Sequence, residues 1–220
     1  MSVTNIELEV GDNTYTGRLN VPTEGSKRGI VVRPGAGHGP YGDIFDRFAE
    51  EAADRGYRCL RFQTWGEQEN LRQKTLSDLH DEVDAAIARL QSEGCAEISI
   101  VAKSFGAGMS LTHIPNAVEA MVLWAPAIGV EDTSNVGAVK EKQFSEGDRP
   151  VVSPTFLEEI EIPVLILHGT DDETVPVRNS QQMVNALPDG ELLTLDREDH
   201  SFRGAVESEV VAQTLTYLDG

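Results

Sequence analysis

The chain has 220 residues, with 37 acidic against 18 basic side chains and a net charge of −19 at pH 7. That length holds one domain with a sizeable core rather than two. A negative field of that size argues against nucleic acid and anionic membranes as partners. The longest apolar runs, such as residues 164–167, are strand-sized and too short for a bilayer. The opening Met-Ser-Val-Thr-Asn-Ile-Glu has neither a basic nor an apolar region, so no signal peptide is expected. Cys59 and Cys95 sit in apolar contexts and read as reduced thiols of a cytoplasmic protein.

Short β-rich runs alternate with amphipathic helical ones along the chain. Residues 6–10 and 14–21 flank Gly-Asp-Asn, a hairpin turn signal. Residues 30–32 form a buried strand that runs into Arg-Pro-Gly-Ala-Gly-His-Gly-Pro at 33–40. Asp43 is expected to cap a helix to about residue 55, with Ile44, Phe48 and Ala52 on one face and Gly56 as its stop. Residues 57–62 are the next strand. The strongest helical signal covers 75–93, where Leu76, Leu79, Val83, Ile87 and Leu90 recur every three or four positions. A strand at 97–102 leads into Ser104 and a small-residue helix start, and a strand at 120–124 is ended by Pro126. Residues 127–160 break the rhythm, with Ser153 and Pro154 starting a short helix. Strands at 163–168 and 192–195 then alternate with helices at 178–187 and 205–218.

An antiparallel opening pair followed by β-α units predicts an α/β protein, with a mostly parallel central sheet and helices on both faces. Ligands of such sheets bind at the carboxyl ends of the strands. At one such end, Ala-Lys-Ser-Phe-Gly places Ser104 at a strand-to-helix junction, with Ala102 two residues before it and Gly106 two after. Small residues at those positions permit the tight turn of a nucleophile elbow, which lifts the serine hydroxyl to the helix start. The usual first position is glycine; here it is Ala102. The Gly-rich segment at 33–40 fits neither a P-loop nor a dinucleotide fingerprint.

A second element, at 163–176, reads Pro-Val-Leu-Ile-Leu-His-Gly-Thr-Asp-Asp-Glu-Thr-Val-Pro, and a third, at 199–202, reads Asp-His-Ser-Phe. Here the chain resembles the α/β-hydrolase superfamily, whose pattern at the second element is His-Gly-x-x-Asp-x-x-Val-Pro. The resemblance covers roughly residues 28–218. It implies a single α/β-hydrolase domain over 1–220, with a sheet of about 7–8 strands and a small cap at about 127–160. It makes Ser104 the nucleophile, Asp172 rather than the adjacent Asp171 the triad acid, and His200 the base. The order Ser, Asp, His is that of the family. The chemistry requires these types: a hydroxyl needs a base in reach, imidazole relays the proton, and a carboxylate fixes the tautomer. The oxyanion donors implied are the amides of Phe105 and, from the Gly-rich segment, Ala36.

The implied activity is a cytoplasmic serine hydrolase acting on a small carboxylic ester or thioester through an acyl-enzyme. The alternatives are a small amidase or peptidase, or a catalytically silent binding protein of the same fold. The short chain resembles the dienelactone-hydrolase-like and small carboxylesterase branches, although dienelactone hydrolases proper use cysteine where this chain has Ser104. Tyr41, Trp65, Phe105 and Trp124 fall at or near strand ends and are candidates to line the pocket, as is His38 beside the oxyanion loop. His80 reads as a solvated helix-face residue, His113 as structural, and His168 as a brace for the acid loop. Lys103 is expected to point away from the triad. No metal-ligand spacing occurs, so neither metal nor cofactor is expected. The oligomeric state is expected to be a monomer or a homodimer.

Only five lysines occur, at 27, 74, 103, 140 and 142. An acid-rich, lysine-poor chain resembles the cytosolic proteins of salt-in halophiles, where salt screens self-repulsion. Far-UV circular dichroism should therefore show the folded signal growing with KCl; full folding without salt would contradict this expectation.

Overall fold

The computed structural model describes residues 1–37, 39–65, 68–145 and 148–220. The first strands, β1 (Ser2–Val10) and β2 (Asn13–Val21), pair antiparallel across a turn at Gly11 and Asp12. Gly11 has φ +56°, the left-handed conformation that such short hairpin turns favour. Strands and helices then alternate: β3 (Arg28–Arg33), α1 (Asp43–Asp54), β4 (Tyr57–Phe62), α2 (Gln68–Leu71), α3 (Leu76–Ser92), β5 (Glu97–Lys103), α4 (Ser104–Leu111) and β6 (Val118–Trp124). The irregular stretch holds β7 (Gly129–Val130), α5 (Val136–Lys140), β8 (Val151–Val152) and α6 (Pro154–Glu158). The last elements are β9 (Val164–Gly169), α7 (Val177–Ala186), β10 (Gly190–Leu195) and α8 (Val206–Leu218).

Eight strands form one sheet in the order β1-β2-β4-β3-β5-β6-β9-β10, while β7 and β8 pair separately. β2 is antiparallel to both its neighbours, and every other pair in the large sheet is parallel. The central strands bury both faces, so their side chains divide by parity. Val31, Ile100, Ala102, Leu123 and Ile166 join one cluster with Val83, Ile87 and Leu90 of α3 and Met183 of α7. Ile30, Val32, Val101, Val122 and Leu167 join the other, with Phe45 and Phe48 of α1 and Val210, Val211 and Leu215 of α8. Among the described residues, no helix is long and apolar enough to cross a membrane.

The helix ends follow local chemistry. Thr75 caps α3 through a reciprocal pair: its hydroxyl accepts from Asp78 N, and the Asp78 carboxylate accepts from Thr75 N. Ser153 caps α6 by accepting from Phe156 N. The expected Asp43 cap is not formed. Gly42, at φ +82°, occupies the cap position of α1 and Asp43 is its first helical residue. His80 also departs from expectation. It is buried, its Nε2 lies 2.8 Å from Thr112 Oγ1, and its ring stacks on His113 at 4.7 Å. Burial lowers its pKa to about 3, so the ring is neutral at pH 7.

Trp124 is fully buried at the end of β6. Its ring stacks on Phe45 at 5.9 Å, meets Phe48 edge-on at 5.6 Å, and donates from Nε1 to Thr214 Oγ1 at 3.0 Å. Trp124→Ala removes this packing and is expected to lower stability by about 3–5 kcal/mol, measured by denaturant unfolding. A loss under about 1 kcal/mol would mean that the α1–α8 face does not depend on it.

Candidate active site

β5 passes directly into α4, and the residue at the junction is Ser104. Its φ is +51°, a conformation that costs a residue with a Cβ about 1–3 kcal/mol and persists only where the surroundings impose it. The surroundings are the loop after β3. Gly106 N donates to Pro34 O at 3.2 Å, and a Cβ on Gly106 would lie 2.3 Å from that oxygen. Glycine at 106 therefore lets the start of α4 sit against residues 34–36. Gly35 also lies against the serine, though less tightly, and a Cβ there would lie 3.2 Å from Ser104 Cβ.

The acid loop follows β9. A Cβ on Gly169 would lie 2.1 Å from Glu198 O, and Asp171 N donates to that oxygen at 3.0 Å, so the acid loop and the histidine loop meet backbone to backbone. Asp171 itself is exposed. The Asp172 side chain has no exposed surface. Its Oδ1 accepts from Thr174 N at 2.9 Å and Val175 N at 2.8 Å. Its Oδ2 lies 2.7 Å from His200 Nδ1, and His200 Nε2 lies 2.8 Å from Ser104 Oγ. The three residues expected to act together are thus joined in one hydrogen-bonded line.

His168 braces the acid from the buried side. Its Nε2 is 2.8 Å from Val175 O, which can only accept, so Nε2 carries the hydrogen. The same nitrogen lies 3.1 Å from Asp172 Oδ2. Burial lowers the pKa of His168, leaving the ring neutral and Nδ1 free to accept from Ser180 Oγ at 2.6 Å. His168 therefore gives Asp172 a donor without placing a full positive charge beside it.

A cavity of about 310 Å³ opens beside Ser104 and His200. Ala36, Tyr41, Phe45, Lys103, Phe202 and Arg203 contribute to its wall. Lys103 is a correction: it faces this cavity and does not point away. Its Nζ donates to Ser201 O at 2.8 Å and lies 5.3 Å from the centre of the Phe202 ring. Burial and then the Arg203 charge lower its pKa to about 8. Phe202, fully buried at φ +53°, turns the chain there.

The other expected positions divide. Phe105 is the second residue of α4, so its N–H is among those a helix start leaves without an internal partner. Ala36 and Tyr41 line the cavity. Trp65 and Trp124 do not. Trp65 turns its indole inward to donate to Gly35 O at 3.0 Å, and Trp124 belongs to the α1–α8 core. His38 lies outside the described residues. Residues 127–160 contribute none of the described cavity lining; Val139 and Phe144 instead pack in a cluster with Trp65 and Phe105. Among the described residues, no group of three or more His, Cys, Asp or Glu could hold a metal ion.

The sheet order, the serine at the strand-to-helix junction and the acid and histidine on the last two loops make this chain an α/β-hydrolase in fold. The family model described as TAP-like protein matches residues 141–220, which include Asp172 and His200. Solved structures share the architecture over almost the whole chain. Est1E from Butyrivibrio proteoclasticus is 14% identical at a TM-score of 0.76, covering 98% of this chain and 99% of that one. Dienelactone hydrolase from Anabaena variabilis is 17% identical at 0.75, covering 99% and 96%. Esterase 2 of Thermogutta terrifontis, phosphoramylated by tabun, is 17% identical at 0.76, covering 98% and 93%. No curated protein matches the sequence.

Lys103 makes the pH dependence of stability specific. Its folded pKa of about 8 lies below the ordinary lysine value of 10.5, so between these values the unfolded chain binds the extra proton and stability rises with pH. The stability of the native protein minus that of Lys103→Met should therefore grow from pH 8 to pH 10.5, by urea unfolding. A flat difference would show that burial does not oppose the lysine charge.

Proposed function

We propose that the protein is a serine hydrolase that cleaves a small carboxylic ester or thioester through an acyl-enzyme. The observation that carries this reading is the unbroken Ser104–His200–Asp172 line, with contacts of 2.8 and 2.7 Å. Ser104 Oγ adds to the substrate carbonyl carbon as His200 Nε2 takes its proton. The carbonyl π pair moves to oxygen, and the tetrahedral intermediate expels the alcohol or thiol, which receives that proton from His200. Water then attacks the acyl-enzyme with His200 again as base, releasing the acid and restoring Ser104. Asp172 keeps the hydrogen on Nδ1, so Nε2 faces Ser104 as an acceptor, and it stabilises the imidazolium.

The oxyanion is received by the amides of Phe105 and Ala36, with the positive end of α4 behind Phe105. Losing one such donor costs about 3 kcal/mol in the transition state. The 310 Å³ cavity supports a small substrate, since it lies at the low end for ligand pockets. The structural neighbours include an esterase and a dienelactone hydrolase, which supports the same class of bond. The chain acts as one domain, with residues 127–160 as a small cap over Phe105. Its acid-rich, lysine-poor composition supports a cytoplasmic setting at high salt.

A fluorophosphonate added in high KCl should give one covalent adduct by intact mass, absent in Ser104→Ala. Asp172→Asn should keep the fold and lose roughly 10⁴-fold in kcat, because the acid no longer enforces the tautomer. Folded wild-type protein that takes no label would refute the serine-hydrolase reading. A matched ester and amide panel then separates an esterase from an amidase.

A further inference from the structure

We infer that Trp65 is a positioning residue whose indole N–H fixes the orientation of the Gly35–Ala36 peptide, and with it the Ala36 N–H that receives the oxyanion. The inference rests on the serine-hydrolase reading above. Gly35 O accepts from Trp65 Nε1 at 3.0 Å. No peptide bond described is cis, and in a planar trans peptide the C=O and the following N–H point in opposite directions. Holding the Gly35 oxygen toward the indole therefore turns the Ala36 N–H away from it, to the side where Gly35 lies against Ser104 and Ala36 lines the cavity.

The indole is itself held in place. Its ring meets Phe105 edge-on at 6.0 Å, and the Arg33 guanidinium lies 5.5 Å from the ring centre. Thr64, the residue before it, donates to the buried Glu82 carboxylate at 2.8 Å. Arg33, which leads into the loop, is tied to α3 by donating to Leu79 O at 2.9 Å. The segment is rich in glycine, at positions 35, 37 and 39, and has little stiffness of its own. A peptide plane in such a segment keeps one orientation only if an outside partner holds it, and the indole N–H supplies that partner. The bland alternative is that a buried tryptophan merely needs an acceptor for its N–H. The two differ in kinetics, because a peptide that turns loses transition-state stabilisation while substrate binding is kept.

The test is hydrolysis of p-nitrophenyl acetate by wild type, Trp65→Phe and Phe144→Leu, with inhibition by phenylboronic acid, whose tetrahedral adduct carries the oxyanion. Trp65→Phe keeps a buried ring and removes the N–H. It should lower kcat by about 10- to 100-fold, leave KM within about twofold, and weaken the boronate by a factor close to that lost in kcat. Phe144→Leu loosens the same aromatic cluster, where the Phe144 ring lies 5.3 Å from that of Phe105, but keeps the N–H. Its kcat should stay within about threefold of wild type. Wild-type kcat and boronate affinity in Trp65→Phe would overturn the inference, as would an equal loss in Phe144→Leu. If Trp65→Phe does not fold, benzothienylalanine at position 65 in a Trp124→Phe chain replaces N–H by sulfur within the same ring shape. It should show the same loss against Trp124→Phe, and an unchanged kcat would overturn the inference. Wild type inert to both ester and fluorophosphonate would refute the serine-hydrolase reading and this inference with it; an active wild type with an unaffected Trp65→Phe refutes this inference alone.

Discussion

The Asp172 carboxylate has no exposed side-chain surface, and a lone ion in such a place would be destabilising by several kcal/mol. Two backbone amides and two imidazoles offset that penalty. The amides come from Thr174 and Val175, so the acid shapes its own loop. One imidazole, His168, is anchored to Val175 O and to Ser180 of α7, which ties that loop to the sheet. The other is His200, so the position of the histidine loop is set by the need of a buried charge for a partner. Ser104 meets the free nitrogen of that ring because α4 is pressed against Pro34.

The elements and the grouping of Ser104, Asp172 and His200 were legible because their signals are local. Ser104 directly follows a strand, Asp172 and His200 lie on the loops after theirs, each carries its own flanking signal, and the alternation of strands and helices set the fold class. What was not legible depends on facing. In a sheet buried on both sides, apolar strands do not announce which face each parity takes. Trp124 shares its parity with Val122 and so turns toward α1 and α8, away from the site. Lys103 shares its parity with Val101, which puts it on the side where the loop into α8 crosses.

Trp65 and His80 were missed for a related reason. Trp65 lies just beyond β4, with no periodicity to orient it, and its partner Gly35 is 30 residues away in sequence. His80 lies on the polar side of α3 by sequence, yet Thr112 and His113 from the end of α4 cover it. In both cases a polar atom on an aromatic ring found an acceptor or a ring that only the folded chain supplies.

The contact from Lys103 to Ser201 has a mechanical meaning. Residues 103 and 104 are adjacent on one segment, and 200 and 201 are adjacent on another. One link joins 104 to 200 at 2.8 Å and a second joins 103 to 201 at 2.8 Å. Two rungs between the same two rails resist shear where a single rung would act as a hinge. Thermal sliding of the histidine loop along the end of β5 therefore has to break both contacts at once, and the distance between hydroxyl and imidazole is kept by a truss rather than by the stiffness of the loop.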